Sequence, residues 1–296
     1  MWIVFGITAG LILGLYDFWT KKSMDGNDVI SIVFFSSFFG MAAWGLVLTL
    51  GAGNTLSPVD LLNLGYEHQL LIAVKSMAMT LSWILAYYAV KALPMSFSGA
   101  VRASGPLWTM AGGVLIFGEY LTVTQFFLIF ASIAAYYALS QIGKKEGIDA
   151  LKSKPVMMML AATIFSAATT VYDKYLVQSI GLTAASIQIN SAIQRFLIAL
   201  VIFYFYKKHL KIKTNTTWSL YIPLVGISWV VAEYVYFLAI VQADSNVTYL
   251  SVFRRMSLVL GFILSAIFIG EKYLKQKTII ILVLVLSTVA LILERH

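Results

Sequence analysis

The sequence contains no cysteine, which removes disulfides, thiolate metal sites and cysteine nucleophiles from consideration. Charge is scarce: Asp, Glu, Lys and Arg together make up 11% of the 296 residues. There are only three histidines, His68, His209 and His296, and no HExxH sequence, so a zinc-hydrolase reading has nothing to stand on. What fills the chain instead is apolar length, with 60% hydrophobic residues and a mean hydropathy of +0.87. That composition lies outside the range of soluble globular domains.

A helix rises about 1.5 Å per residue and the hydrocarbon core is about 30 Å thick, so one crossing takes roughly 20 mainly apolar residues. The sequence supplies ten such segments: Trp2 to Thr20, Val29 to Leu50, Gln69 to Val90, Met95 to Gly118, Thr122 to Gln141, Pro155 to Val177, Ala184 to Tyr206, Trp218 to Val241, Asn246 to Gly270 and Thr278 to Leu293. They are called spans 1 to 10. The expected fold is an all-α, polytopic membrane protein of ten transmembrane helices. Met1 opens span 1 with no basic segment before it and no small-residue cleavage site after it, so that helix is expected to be retained.

Basic residues are missing from every even-numbered connection, that is, between spans 2 and 3, 4 and 5, 6 and 7, and 8 and 9. The odd-numbered connections hold Lys21, Lys22, Lys91, Lys144, Lys145, Lys152, Lys154, Lys207, Lys208, Lys211, Lys213, Lys272, Lys275 and Lys277. The formal charge of +8 is therefore a topology signal rather than a nucleic-acid surface. Basic loops stay cytoplasmic, which predicts both termini on the far side of a cell (inner or plasma) membrane.

The same charges point to two halves of opposite orientation. Lys21 and Lys22 follow span 1, whereas the connection after span 6 is uncharged; span 2 is followed by no basic residue, whereas span 7 is followed by four lysines. Five helices per half is odd, so a tandem copy is inverted. Short matches recur in order: Tyr16-Asp17 with Tyr172-Asp173, Ser82-Trp83 with Ser228-Trp229, Arg102 with Arg254, and Gly118-Glu119 with Gly270-Glu271. Residues 1–146 and 155–296 are the expected repeats.

These residues resemble the drug/metabolite transporter superfamily, and within it the EamA-like ten-helix group. The Phe117-Gly118-Glu119-Tyr120-Leu121 stretch carries the resemblance most closely, supported by Tyr88-Ala89-Val90-Lys91-Ala92-Leu93, Phe237-Leu238-Ala239-Ile240 and Pro106. The resemblance covers essentially the whole chain. It implies a secondary transporter, usually a metabolite exporter, working by alternating access with its cavity lined by spans 1, 3, 4, 6, 8 and 9 and with spans 5 and 10 peripheral. Span 9 departs from the pattern, having Leu258 where Pro106 would repeat, and Arg195 in span 7 has no basic counterpart in span 2.

A charge at the centre of a membrane helix costs at least ~2.5–3.5 kcal/mol on insertion scales, so each needs a cavity or a partner. Glu233 shares a helix face with Trp229 and Tyr236; it is either a proton-coupling carboxylate or the partner of Arg254, Arg195 or Lys75. Arg102 and Arg254 suit an anionic group on a solute, since a guanidinium grips carboxylate or phosphate with two prongs; the alternatives are snorkelling and neutralisation of Glu233. Asp17 and Asp173 either pair with Lys21 and Lys174 or form gates. Trp83, Tyr87 and Trp229 are read as an aromatic wall or as ordinary packing. Ser104, Gly105 and Pro106 should break span 4, while Glu119 and Glu271 should anchor turns.

The expected function is export of a small polar metabolite with an anionic group, such as an amino acid. The alternatives are export of cationic drugs or quaternary amines, and flipping of a lipid-linked sugar. An intramembrane enzyme is disfavoured, because the histidines lie in or beside loops and no intramembrane aspartate pair has protease spacing. The expected partners are a small-molecule solute, the lipid bilayer and a second copy met through peripheral helices; no cofactor, metal or nucleic acid is expected.

Overall fold

A computed structural model describes residues 1–50, 62–102, 104–120, 122–144, 153–210, 216–268 and 274–293. Gly270, Glu271, Lys145, Lys152, Lys211, Lys213 and Lys272 lie outside the described residues. Among those described there are helices and no strands. They are α1 (Trp2–Ser23), α2 (Val29–Leu50), α3 (Tyr66–Ala92), α4 (Met95–Arg102), α5 (Gly105–Phe117), α6 (Val123–Lys144), α7 (Lys154–Lys174), α8 (Ala184–Leu210), α9 (Tyr221–Ile240), α10 (Val247–Arg254), α11 (Met256–Phe268) and α12 (Leu274–Leu293). A single π turn, Tyr175–Ser179, extends α7. Among the described residues, seven helical stretches are individually long and apolar enough to cross a bilayer.

Spans 4 and 9 are each built from two pieces. Span 4 is α4 plus α5, with Pro106 in the first turn of α5, where a missing N–H costs nothing. The break there was legible from Ser104-Gly105-Pro106. Span 9, which has Leu258 where Pro106 would repeat, also divides, after Arg254, into α10 and α11, of the same 8 and 13 residues as α4 and α5. Short bonds mark both joints: Ser104 N to Val101 O at 3.2 Å and Leu107 N to Ser104 O at 3.0 Å in one, Arg255 N to Val252 O and Leu258 N to Arg255 O, both at 2.9 Å, in the other. The joints also meet in space. A Cβ on Gly105 would collide with the Arg255 guanidinium, so glycine at 105 leaves room for that side chain.

Packing exchanges helices between the halves. Helix α1 lies along α9 and against α10 and α11, while α7 lies along α3 and against α4 and α5. Those two sets are counterparts under the repeat, and α2 with α8 and α6 with α12 complete the arrangement. Spans 5 and 10 thus pair with each other. Close approach depends on small residues: a Cβ on Gly10 would strike the Phe253 carbonyl, and one on Gly226 the Ser36 carbonyl.

The connections group by parity, as alternation of the chain demands. On the odd side, Lys21 Nζ donates to Val90 O at 2.7 Å and Leu93 O at 2.9 Å, Lys91 Nζ donates to Asn27 O at 2.6 Å, and Asn27 Oδ1 accepts from Thr217 N at 2.7 Å. On the even side, Trp2 Nε1 donates to Asp244 at 3.1 Å and Gln178 Nε2 to Ile240 O at 2.9 Å. An apolar cluster including Trp2, Leu176, Leu182, Tyr236, Phe237, Tyr249, Leu250 and Phe253 fills the even half of the bundle.

Candidate functional site

A narrow cavity of about 60 Å³ lies at mid-depth, on the odd side of that apolar cluster. Tyr16 comes from span 1, Met79, Ser82, Trp83 and Ala86 from span 3, Arg102 from span 4, Ala162, Thr163, Ser166 and Thr169 from span 6, Trp229 from span 8 and Arg255 from span 9. Spans 1, 3, 4, 6, 8 and 9 therefore all contribute. A second, smaller cavity of about 20 Å³ shares Arg102 and adds Asp17, Met95, Gly99 and the Ser257 to Phe262 face of α11.

The aromatic wall is one connected group. Trp83 meets Trp229 edge-to-face at 4.8 Å, Tyr16 lies 4.9 Å from Trp229, and Tyr87 stacks on Trp83 at 5.9 Å. Tyr87 is not in the cavity lining; it backs Trp83, and its hydroxyl accepts from the Tyr16 hydroxyl at 2.9 Å. The indole N–H groups of Trp83 and Trp229 are buried without an acceptor among the described residues. Buried donors left unpaired are costly, so a solute able to accept from them would gain.

Among the described residues, four ion pairs hold eight of the charges that lie within the bundle. Arg102 Nη1 meets Asp17 Oδ1 at 2.7 Å, Lys75 Nζ meets Asp173 Oδ1 at 2.7 Å, Arg254 Nη2 meets Glu233 Oε1 at 2.7 Å and Lys174 Nζ meets Glu119 Oε1 at 2.9 Å. The expected pairing of Asp17 with Lys21 and of Asp173 with Lys174 does not occur. Successive helical residues point about 100° apart, so Asp173 faces α3 while Lys174 faces the end of α5. Lys21, one turn beyond Asp17, is drawn to the open carbonyls at the end of α3 instead.

Arg102 belongs to the cavity and Arg254 does not. The Arg254 guanidinium sits 4.2 Å above the Tyr236 ring and binds Glu233. Glu233 is 1% exposed, and its Oε2 accepts no hydrogen bond from a described residue. Together with Lys75 and Asp173, this pair forms a four-charge layer on the even side of Trp229.

Glu119 anchors a turn, as expected, but the turn belongs to the other half of the chain. Gly118, at φ 61°, reverses the chain at the end of α5, a conformation glycine adopts without strain. The carboxylate then accepts from Val247 N at 3.0 Å and Thr248 Oγ1 at 3.3 Å, at the first turn of α10, besides binding Lys174. A negative charge at a helix N-terminus is favourable. Gly113 makes the space, since a Cβ there would strike the Glu119 carboxylate.

The family model for EamA-like transporters matches residues 1–141 and again 153–293. The chain belongs to the EamA-like transporter family. It is a multi-pass membrane protein of the drug/metabolite transporter superfamily. A solved crystal structure, titled only as that of a protein, covers 99% of this chain and 97% of its own with a TM-score of 0.76 at 15% identity; that likeness concerns the fold. No curated protein matches the sequence. Sequence reasoning did not place Tyr16, Met79, Ser82, Thr163, Ser166 or Thr169 in the site; Arg255, a charge without a counterpart in the first half, lines the cavity beside Arg102. Its signal was the adjacent arginine pair at 254 and 255, whose members must point different ways on a helix.

Proposed function

We propose that this EamA-like protein is a secondary active exporter of a small polar solute carrying an anionic group, an amino acid being the simplest case, and that it works by alternating access. The observation that carries the reading is the lining of the larger of these two cavities: two guanidinium groups, Arg102 and Arg255, five hydroxyl side chains, two indole donors and no carboxylate among the described residues. Arginine binds carboxylates through paired, charge-assisted hydrogen bonds. A lining of that kind disfavours cationic drugs, whose sites call for acidic groups.

The lysine-rich odd connections favour a cytoplasmic placement for the odd side, which puts both termini outside a cell membrane. The cavity then leans toward the cytoplasm, while the apolar cluster and the Lys75–Asp173 and Arg254–Glu233 pairs close the opposite face. Loading from the cytoplasm suits an exporter. Solute passage requires those pairs to separate, with Glu233 as the carboxylate that couples proton movement to the exchange. Arg102, Trp83 and Trp229 hold the solute; Tyr87 positions Trp83.

A thermal-shift screen of amino acids and small carboxylates on the detergent-purified protein tests the reading. Carboxylates should stabilise it, with the effect lost in Arg102→Ala. Stabilisation by quaternary amines and by no anion would reverse the assignment.

A further inference from the structure

Arg195 is a buried cation that the transport cycle above does not use. It stands in α8, a helix that adds no residue to either cavity, and it is 4% exposed. Its guanidinium lies 4.8 Å from the centre of the Trp83 ring and 5.9 Å from that of Trp229. Nη1 contacts Met79 Sδ at 3.5 Å and Nε donates to Ser191 O at 3.3 Å. Met79, Trp83 and Trp229 all line the larger cavity, so a single layer of side chains separates this charge from the space a solute would fill.

The charge is not neutralised where it sits. The described ion pairs engage Lys75, Arg102, Lys174 and Arg254, and among the described residues no carboxylate lies within 4.0 Å of Arg195. The ionisable groups nearest to it are Glu233 and Asp173, and the neutral phenols of Tyr16 and Tyr87. Of these, Glu233 is held by Arg254 and Asp173 by Lys75, and the tyrosines are hydrogen-bonded to each other. Burying an ion without a counter-ion is expensive, and contact with aromatic faces repays only part of it. An apolar side chain would support the same tryptophans more cheaply. The charge itself is therefore what the position supplies.

We propose that Arg195 sets the preference of the cavity for anions, acting through the Trp83–Trp229 wall rather than by contact. This rests on reading the cavity as the solute site. Arg195 is thus a positioning and selectivity residue: its field crosses the soft Met and Trp layer with little screening, and it favours an anion accepting from the two indole N–H groups.

Iodide and acrylamide, an anionic and a neutral quencher of indole fluorescence, test this without knowledge of the natural solute. Replacing Trp2, Trp19, Trp44, Trp108 and Trp218 by Phe leaves Trp83 and Trp229 as the only indoles. In that protein iodide should quench more strongly than acrylamide. Arg195→Gln should lower the iodide constant about threefold or more, as removal of a unit charge a few ångströms away requires, and leave the acrylamide constant unchanged. Arg195→Lys should retain the iodide preference.

A purely structural arginine predicts otherwise: loss of it would loosen the wall and move both constants together, and that result overturns the proposal. So does a wild-type cavity with no iodide preference. If the five replacements prevent folding, the full sequence labelled with 5-fluorotryptophan gives the same readout from the Trp83 and Trp229 fluorine resonances, assigned by Trp83→Phe and Trp229→Phe. An iodide preference that depends on Arg195 in a protein that moves no solute would refute the transport reading and leave this one standing.

Discussion

The Glu119 carboxylate, delivered by the first half of the chain, accepts a hydrogen bond from Val247 N at 3.0 Å and so caps a helix of the second half. The same carboxylate binds Lys174 at 2.9 Å. One acidic side chain therefore fastens spans 4, 6 and 9 together on the even side.

Removing it should loosen that face. Glu119→Ala leaves Lys174 unpaired and the first turn of α10 uncapped, with an expected loss of about 1–3 kcal/mol. Thermal unfolding in detergent checks this. A double change with Lys174→Met should cost less than the sum of the single ones, because neither variant then strands a charge.

Arg102 and Arg254 should separate by phenotype. Arg102→Ala opens onto the cavity and, besides leaving Asp17 unpaired, should weaken binding of carboxylates by about tenfold, the worth of one charge-assisted contact, while amides of the same solutes lose little. Arg254→Ala strands Glu233 in the interior and should chiefly lower stability, by about 3–5 kcal/mol for a broken buried pair. Titration of matched acids and amides, alongside unfolding, reads both. Equal effects from the two variants would contradict the placement of Arg254 behind the cavity.

Glu233→Gln should abolish gradient-driven transport and leave solute exchange partly intact. The variant also unpairs Arg254, so Glu233→Gln combined with Arg254→Gln should recover stability without recovering coupling. Driven uptake and counterflow in liposomes distinguish the outcomes; driven uptake at the original rate would remove Glu233 from the coupling step.

The absence of cysteine makes topology directly testable. A single cysteine at Asp25, exposed in the first odd connection, should react with a membrane-impermeant maleimide only after permeabilisation. One at Ala243, exposed in an even connection, should react from outside the cell. The reverse pattern would invert the orientation and remove the argument for loading from the cytoplasm.

Much of this architecture was legible because it rests on local or periodic signals. Apolar length gave the spans, lysine parity gave the alternation, and Pro106 marked the joint of span 4. The joint of span 9 was not legible, because Arg254, Arg255 and Met256 are all compatible with a continuous helix. Its cause is tertiary: Arg255 must reach over Gly105, a residue 150 positions earlier. Ion-pair partners were misjudged for a similar reason. Asp17 has Lys21 one turn away in sequence, yet its carboxylate faces Arg102 across a helix interface. Arg195 was noticed as a charge without a counterpart, but only the fold places it behind Trp83 and Trp229. The aromatic wall itself was foreseeable, since Ser82-Trp83 and Ser228-Trp229 recur in the two halves.

The most direct measurement is counterflow in liposomes containing only the purified chain. Vesicles preloaded with unlabelled amino acid should take up the same labelled amino acid transiently and saturably, and Arg102→Ala should remove the overshoot. Unsaturable flux at channel rates without counterflow, or counterflow unaffected by Arg102→Ala, would contradict a carrier whose solute site is the cavity between spans 1, 3, 4, 6, 8 and 9.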